Sequence, residues 1–181
     1  MVLMLESIAA LVTAVFLVQL ILRLTEDRLP QAEKLCRNRV AGIIFALPCA
    51  LLCVPLAMPV SPGFLIFWLY PIAVALPVLS YFYIDHYASR GFSFFLILLA
   101  YDIIHGAFEL HLPGAAVITV LALLYGSGGI WLAAQPYILR DIFRKCAVSE
   151  KWRYTFAALA ALWGAMSLYI LITMIYGVVA K

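Results

Sequence analysis

Charged residues are scarce in this sequence. Only 12% of its 181 residues are Asp, Glu, Lys or Arg, whereas 67% are hydrophobic and the mean hydropathy is +1.09. A soluble globular domain carries about 25% charged and about 45–50% apolar residues, so this composition excludes that class. A membrane-spanning helix takes roughly 20 apolar residues. We therefore predict an all-α integral membrane protein, a compact bundle of about six helices forming a single membrane domain over residues 1–181.

Common catalytic and cofactor motifs are also missing. The sequence contains no serine elbow G-x-S-x-G, no Gly-x-Gly-Asp of membrane aspartyl proteases, no HExxH and no phosphate-binding glycine loop. The four cysteines form no CxxC, although Cys49 and Cys53 share one helical face at i and i+4. The sequence thus identifies neither catalytic residues nor a cofactor, and it leaves open whether the protein is an enzyme.

Six apolar runs account for most of the chain. We predict spans over 2–24, 40–60, 64–84, 92–112, 115–134 and 155–179. The second run contains Pro48, Pro55 and Pro59, and the third contains Pro71 and Pro77. Because proline removes a backbone hydrogen bond from a helix, we expect both spans to be kinked. An alternative with four or five spans, in which one proline-rich run is re-entrant, stays open.

Basic residues gather in alternate connections. Eleven of the twelve Lys and Arg residues fall on one side if segments 25–39, 85–91 and 135–154 are placed together, counting Arg23 at the end of the first span. Only Lys181 falls opposite. The positive-inside rule then predicts that these segments are cytoplasmic and that both termini are extracytoplasmic, as would suit a bacterial inner membrane.

The fourth apolar run carries three ionisable residues, Asp102, His105 and Glu109. Helical spacing places them on one stripe, and an ionised carboxylate near the middle of a span costs about 3 kcal/mol. We therefore predict that Asp102, His105 and Glu109 bind or relay a proton, or hold a metal ion such as Zn, Mn or Fe. In the alternative, a protonated Asp102 fixes helix packing by a hydrogen bond. Glu6 is expected at the outer boundary of the first span.

A second candidate site lies in the fifth span, where three glycines follow Tyr125 and surround Ser127. Glycine weakens a helix, so we predict an interruption at Gly126–Gly129 that exposes backbone groups beside Tyr125 and Ser127 to a substrate or ion. Alternatively, these small residues allow two helices to approach closely.

The basic segments offer lipid or phosphate contacts. Asp85, His86 and Arg90 could form an inner gate or bind a lipid phosphate, or they could simply cap a helix end. Residues 136–154 predict an interfacial amphipathic helix, with an apolar face at Ile138, Ile142, Phe143 and Cys146 and basic side chains at Arg140, Arg144 and Lys145. An ordinary positively charged connection is the alternative.

These features favour a small transporter or channel, or its membrane subunit, with a proton- or cation-responsive site at Asp102 and His105. Two alternatives stay open: a membrane-embedded enzyme acting on a lipid or isoprenoid, and a scaffold subunit of a cell-envelope complex. We expect the partners to be the lipid bilayer and a second copy or another membrane subunit, and we expect no nucleic acid.

Overall fold

The structure, a computed structural model, describes residues 2–109 and 114–179, and all regular secondary structure in those ranges is helical. The helices are α1 (Val2–Leu22), α2 (Leu29–Arg37), α3 (Arg39–Ala57), α4 (Gly63–Tyr83), α5 (Tyr87–Glu109), α6 (Ala115–Ala134), α7 (Ile138–Val148) and α8 (Glu150–Val179). Short 3-10 helices cover Glu26–Arg28 and Met58–Val60. The predicted end of the fourth span, at residue 112, lies outside the described residues.

Six of these helices are long and apolar enough to cross a membrane: α1, α3, α4, α5, α6 and α8. The prediction of an all-helical chain with six such helices is therefore confirmed. Both α5 and α8 begin five residues before the predicted spans, at Tyr87 and Glu150. Hydropathy marks only the apolar part of a helix, whereas a polar first turn can extend it further into the headgroup region or water.

The prolines do not end their helices. α3 continues through Pro48 and Pro55, and α4 continues through Pro71 and Pro77. Pro59 lies in the 3-10 helix that follows α3. The predicted kinks of these two helices stay a prediction.

The predicted interruption of the fifth span is wrong. α6 is continuous from Ala115 to Ala134, through all three glycines. A Cβ on Gly126 would lie 2.9 Å from the Cβ of Ala100, and one on Gly129 would lie 3.0 Å from the Cβ of Leu96. These glycines therefore serve the close approach of α6 to α5, and packing against a neighbour offsets the low helix propensity of glycine.

α5 is the central helix. It packs along α6 and α3 and also contacts α1 and α2, while α1 packs mainly on α8 and α4 packs on α3. Half of the apolar window of α5 is buried, against 11% for α4. Small buried residues permit these close approaches, namely Ala88, Ser89, Gly91, Ser93, Ala100, Gly106 and Ala107. Phe95 and Leu99 of α5 pack with Trp163 of α8 in the main core.

The two short helices α2 and α7 pack together at one end of the bundle. Cys36, Phe143 and Cys146 are buried between them and the neighbouring ends of α1 and α8. The predicted amphipathic helix is confirmed as α7, which buries Phe143 and Cys146. The sequence pattern did not predict α2. Pro30 lies in the first turn of this helix, where its missing N–H is not needed.

This end of the bundle gathers all three basic segments. α2 contacts both α7 and α5, and Arg153 donates from Nη1 to the carbonyl oxygen of Leu24 at 3.2 Å. The segments 25–39, 85–91 and 135–154 therefore lie on one side of the six long helices.

Candidate functional site

The buried acidic residue closest to Asp102 is Glu6 of α1. Its side chain is 4% exposed, and Asp102 is half-buried on α5. The Asp102 carboxyl lies within hydrogen-bonding reach of the Glu6 carboxyl. Both Glu6 oxygens are buried and have no hydrogen-bond donor among the described residues. Two ionised carboxylates have no proton to share, so a hydrogen bond between these groups requires one proton on the pair.

Two thiols flank this pair. Cys49 and Cys53 lie on α3, and both are close enough to Glu6 and Asp102 to interact with them electrostatically. Cys49 is buried, Cys53 is exposed on the outside of the bundle, and both are free thiols. We call Glu6, Cys49, Cys53 and Asp102 the carboxyl–thiol cluster; it brings together α1, α3 and α5.

The metal site predicted from Asp102, His105 and Glu109 stays a prediction. Among the described residues, no three His, Cys, Asp or Glu side chains converge closely enough to hold a metal ion. This applies to the carboxyl–thiol cluster as well as to the stripe on α5.

His105 and Glu109 turn away from Asp102. Their side chains are 60% and 72% exposed, and His105 Nε2 lies 4.0 Å from Glu109 Oε1. The His105 ring stacks on the ring of Tyr101, with centroids 5.2 Å apart. Three residues along an α-helix leave a rotation of about 60°. That rotation takes the side chain from the α1-facing side at Asp102 to the outer stripe that carries Phe94, Tyr101 and Phe108.

Tyr125 and Ser127 are also apart from the carboxyl pair. The Tyr125 hydroxyl donates to the carbonyl oxygen of Leu159 on α8 at 3.1 Å. The Ser127 hydroxyl donates to the carbonyl oxygen of Leu124, one turn earlier on its own helix, at 2.9 Å. Ser127 lies on the exposed side of α6. The structure thus gives these two residues packing and local roles within α6 and α8.

An apolar cavity of about 250 Å³ lies between α1, α3 and α5. Phe16 and Leu17 of α1, Phe45 of α3 and Phe92 of α5 line it, and residues of α2 and α7 close one end. The Thr13 hydroxyl, which also borders the cavity, donates to the carbonyl oxygen of Ala9 at 2.7 Å and so is satisfied within α1. The same three helices form the carboxyl–thiol cluster.

The basic residues of α7 have partners within the protein. Arg144 donates from Nε to Oε1 of Glu33 on α2 at 2.6 Å, which holds the pKa of Glu33 below its ordinary value and raises that of Arg144. The Nε of Arg140 lies 3.6 Å from the carboxylate of Asp141. The Lys145 ammonium lies 5.7 Å from the centre of the Trp152 ring. The predicted phosphate contacts at Arg140, Arg144 and Lys145 thus already have protein partners.

Asp85, His86 and Arg90 lie at the junction of α4 and α5, close to the α2–α3 junction. Asp85 and His86 border a cavity together with Arg37 and Arg39, which the sequence analysis did not single out. Arg90 follows one turn later, and its Nε is buried without a described partner.

Comparison with protein-family models, with curated proteins and with solved structures gives no match for this chain.

Glu6 is the residue of the candidate site that sequence reasoning missed. Its expected place at the outer boundary of the first span stays a prediction, but the sequence did not predict that it would be buried against α5. The available signal was a single carboxylate within a long apolar run, the same signal that singled out Asp102. What the sequence could not provide was the pairing of α1 with this side of α5.

Proposed function

We propose that this protein is a small proton-linked membrane transporter, or the membrane subunit of one, and that Glu6 and Asp102 form its proton-binding site. The observation that carries this proposal is the contact of two carboxyl groups from α1 and α5 in an apolar surrounding. His105, which the sequence suggested as the partner of Asp102, is exposed and takes no part.

The reason is electrostatic. Two neighbouring carboxylates disfavour the doubly ionised state, and apolar surroundings disfavour each charge further. The pair therefore holds one proton when the helices are in contact. Loss of that proton places two like charges across the α1–α5 interface, and the helices move apart or admit water.

The packing of α1 allows such a movement. α1 rests mainly on α8, and its interface with α5 is much smaller. A change of charge on the pair would thus act on the weaker of the two interfaces. The apolar cavity between α1, α3 and α5 adjoins the same helices. Its aromatic and aliphatic lining suits an apolar or amphipathic cargo better than a hydrated ion.

A flux assay tests the proposal. The full chain is reconstituted in liposomes that contain a pH-sensitive dye, and an imposed potassium gradient with valinomycin drives proton entry. We expect a proton flux that Glu6→Gln and Asp102→Asn each abolish, because neither amide can exchange a proton at this site. Thermal unfolding of each variant in detergent verifies that it remains folded.

His105→Gln is the matched control. His105 is ionisable and lies one turn from Asp102, but its side chain faces outward. The proton flux of this variant should therefore persist. The proposal is wrong if wild type gives no flux above empty liposomes, or if Glu6→Gln and Asp102→Asn conduct as wild type does. Loss of flux in His105→Gln with retention in Glu6→Gln would instead favour the Asp102–His105 site.

A further inference from the structure

A polar cavity of about 320 Å³ lies at the end of the bundle that carries the basic segments. Arg37 and Arg39 contribute from the α2–α3 junction, and Ile84, Asp85 and His86 contribute from the α4–α5 junction. It is separate from the carboxyl–thiol cluster, and its interpretation does not depend on the proposed function.

The arginines of this cavity are not neutralised by the protein. Within the described residues, neither Arg37 nor Arg39 forms an ion pair, and the described contact of Arg39 is with the Tyr81 ring, 5.8 Å from its centre. Glu33, the one carboxylate on α2, is engaged by Arg144. Two guanidinium groups therefore face this cavity with hydrogen-bond donors to spare.

The His86 side chain, which also lines this cavity, has an unpartnered hydrogen-bonding atom. The Nδ1 atom of His86 is buried and has no hydrogen-bond partner among the described residues. His86 also adopts a left-handed backbone conformation, with φ of 54°, which residues other than glycine rarely adopt. Backbone strain of this kind is concentrated at binding and active sites.

The local backbone fixes the two arginines. Asn38 lies between them and caps α3, since its side chain accepts hydrogen bonds from the backbone N–H groups of Val40 at 2.9 Å and Ala41 at 3.4 Å. The cap holds the turn between α2 and α3, from which Arg37 and Arg39 extend. The cavity is thus bordered by two structured junctions.

We propose that this cavity binds the phosphodiester of a phospholipid whose headgroup also carries an N–H or O–H donor, as ethanolamine or glycerol does. Arg37 and Arg39 bind the phosphate oxygens, and His86 adds a donor. Asp85 accepts from the amine or hydroxyl of the headgroup. Guanidinium groups suit phosphate because they present several donors in one plane.

Charge balance favours a lipid diester over free phosphate. The two arginines and Asp85 give the lining a single positive charge, which the phosphodiester of a glycerol headgroup neutralises; in an ethanolamine headgroup the phosphodiester pairs with the arginines and the ammonium group pairs with Asp85. Free phosphate carries more negative charge than a diester near pH 7 and would bring that charge close to the Asp85 carboxylate. The cavity also adjoins the end of α4, where the exposed Phe82 and Tyr83 are suited to the membrane interface.

Lipid binding to the full-length, delipidated protein in detergent tests this proposal. Phosphatidylethanolamine and phosphatidylcholine with identical acyl chains are titrated and followed by native mass spectrometry. Because choline lacks an N–H donor, we expect phosphatidylethanolamine to bind roughly tenfold more tightly. Inorganic phosphate and soluble glycerophosphoethanolamine are tested as competitors.

Variants assign the binding to this cavity. Arg37→Gln combined with Arg39→Gln should abolish the preferential binding, and Asp85→Asn should reduce phosphatidylethanolamine to the level of phosphatidylcholine. Lys34→Gln, an exposed cation on α2 outside the cavity lining, is the matched control and should bind as wild type. Thermal unfolding without lipid verifies that each variant is folded.

Three results would overturn the proposal. The double arginine variant could bind phosphatidylethanolamine as wild type does, which would place the lipid elsewhere. The two lipids could bind equally in wild type, which would remove the role of Asp85. Inorganic phosphate could displace the lipid at equal concentration, which would make free phosphate the ligand.

Discussion

Arg144 Nε donates to Glu33 Oε1 at 2.6 Å and thereby joins α7 to α2. The two residues lie in different basic segments, separated along the chain by the four long helices α3, α4, α5 and α6. Their contact places both segments at one end of the bundle. The bond is partly exposed, with 49% of the Arg144 side chain and 26% of the Glu33 side chain accessible. Its contribution to stability is therefore small, as for other exposed ion pairs.

The first prediction concerns pH. Arg144 holds the pKa of Glu33 below its ordinary value of 4.5. A carboxyl group with a lowered pKa in the folded protein stabilises it above the unfolded pKa, and this stabilisation is lost as pH falls through the folded value. Glu33→Gln should lower the melting temperature by a few degrees at about pH 7 and have little effect well below pH 4.5. Thermal unfolding in detergent across this range measures the difference.

Glu26→Gln provides the control for that measurement. Glu26 is exposed at the same end of the bundle as Glu33 and forms no ion pair among the described contacts. Its substitution should leave the melting temperature unchanged at both pH values. An equal loss in the two variants would mean that general charge, and not the bond to Arg144, determines the effect.

The second prediction concerns the crossing of α3 and α5. A Cβ on Gly91 would lie 2.5 Å from the carbonyl oxygen of Gly42, which is backbone and cannot rotate aside. Gly91→Ala should therefore destabilise the protein by about 1–3 kcal/mol, the usual cost of overpacking. Gly63→Ala is the control, because nothing lies within 4 Å of a Cβ there. Unfolding followed by tryptophan fluorescence compares the two, and similar stabilities would contradict the described crossing.

The third prediction tests the continuity of α6. Gly126→Ala and Gly129→Ala should each weaken the α5–α6 interface, since the new Cβ would meet Ala100 at 2.9 Å or Leu96 at 3.0 Å. Gly128→Ala meets nothing within 4 Å, and alanine favours a helix by up to about 1 kcal/mol over glycine. It should thus be neutral or stabilising. Destabilisation by Gly128→Ala, measured by the same unfolding assay, would instead favour an interrupted helix.

The fourth prediction concerns the cysteine of α2. Burial raises the pKa of the Cys36 thiol from 9.0 to about 11. Because the thiolate is the reactive form, a variant that retains only Cys36 should react very slowly with a maleimide at about pH 8, and rapidly once it is denatured. Lys34→Cys in a background without other cysteines is the exposed comparison. Mass spectrometry follows the labelling, and equal rates in the folded protein would show that Cys36 is accessible.

The fifth prediction concerns orientation. Eleven of the twelve basic residues lie at the end formed by segments 25–39, 85–91 and 135–154, if Arg23 is included. By the positive-inside rule we expect this end to face the cytoplasm. A membrane-impermeant maleimide should label Lys34→Cys in inverted vesicles and leave it unlabelled in intact cells. The reverse pattern would place the termini in the cytoplasm.

The number and length of the long helices follow from the sequence, because the thickness of a bilayer sets a minimum apolar length that each run meets on its own. The amphipathic spacing around Phe143 likewise predicted α7, since helical periodicity is a local property. α2 was missed because Pro30 reads as a breaker unless the position of the helix start is known. For Gly126 and Gly129 the sequence left two interpretations, and the close approach of a neighbouring helix is the one that the structure confirms.

In the candidate site, too, some features follow from the sequence alone and others only from helix packing. The sequence alone identified Asp102 as a costly group in an apolar helix, and that argument required no neighbour. It also placed His105 and Glu109 on the same stripe, but spacing along one helix does not tell which part of that stripe another helix covers. The tertiary structure decided this: α1 meets α5 at Asp102 and brings Glu6 to it, whereas His105 remains exposed. The physical reason is that periodicity fixes directions around a helix axis, while only the packing of the other helices determines what lies in each direction.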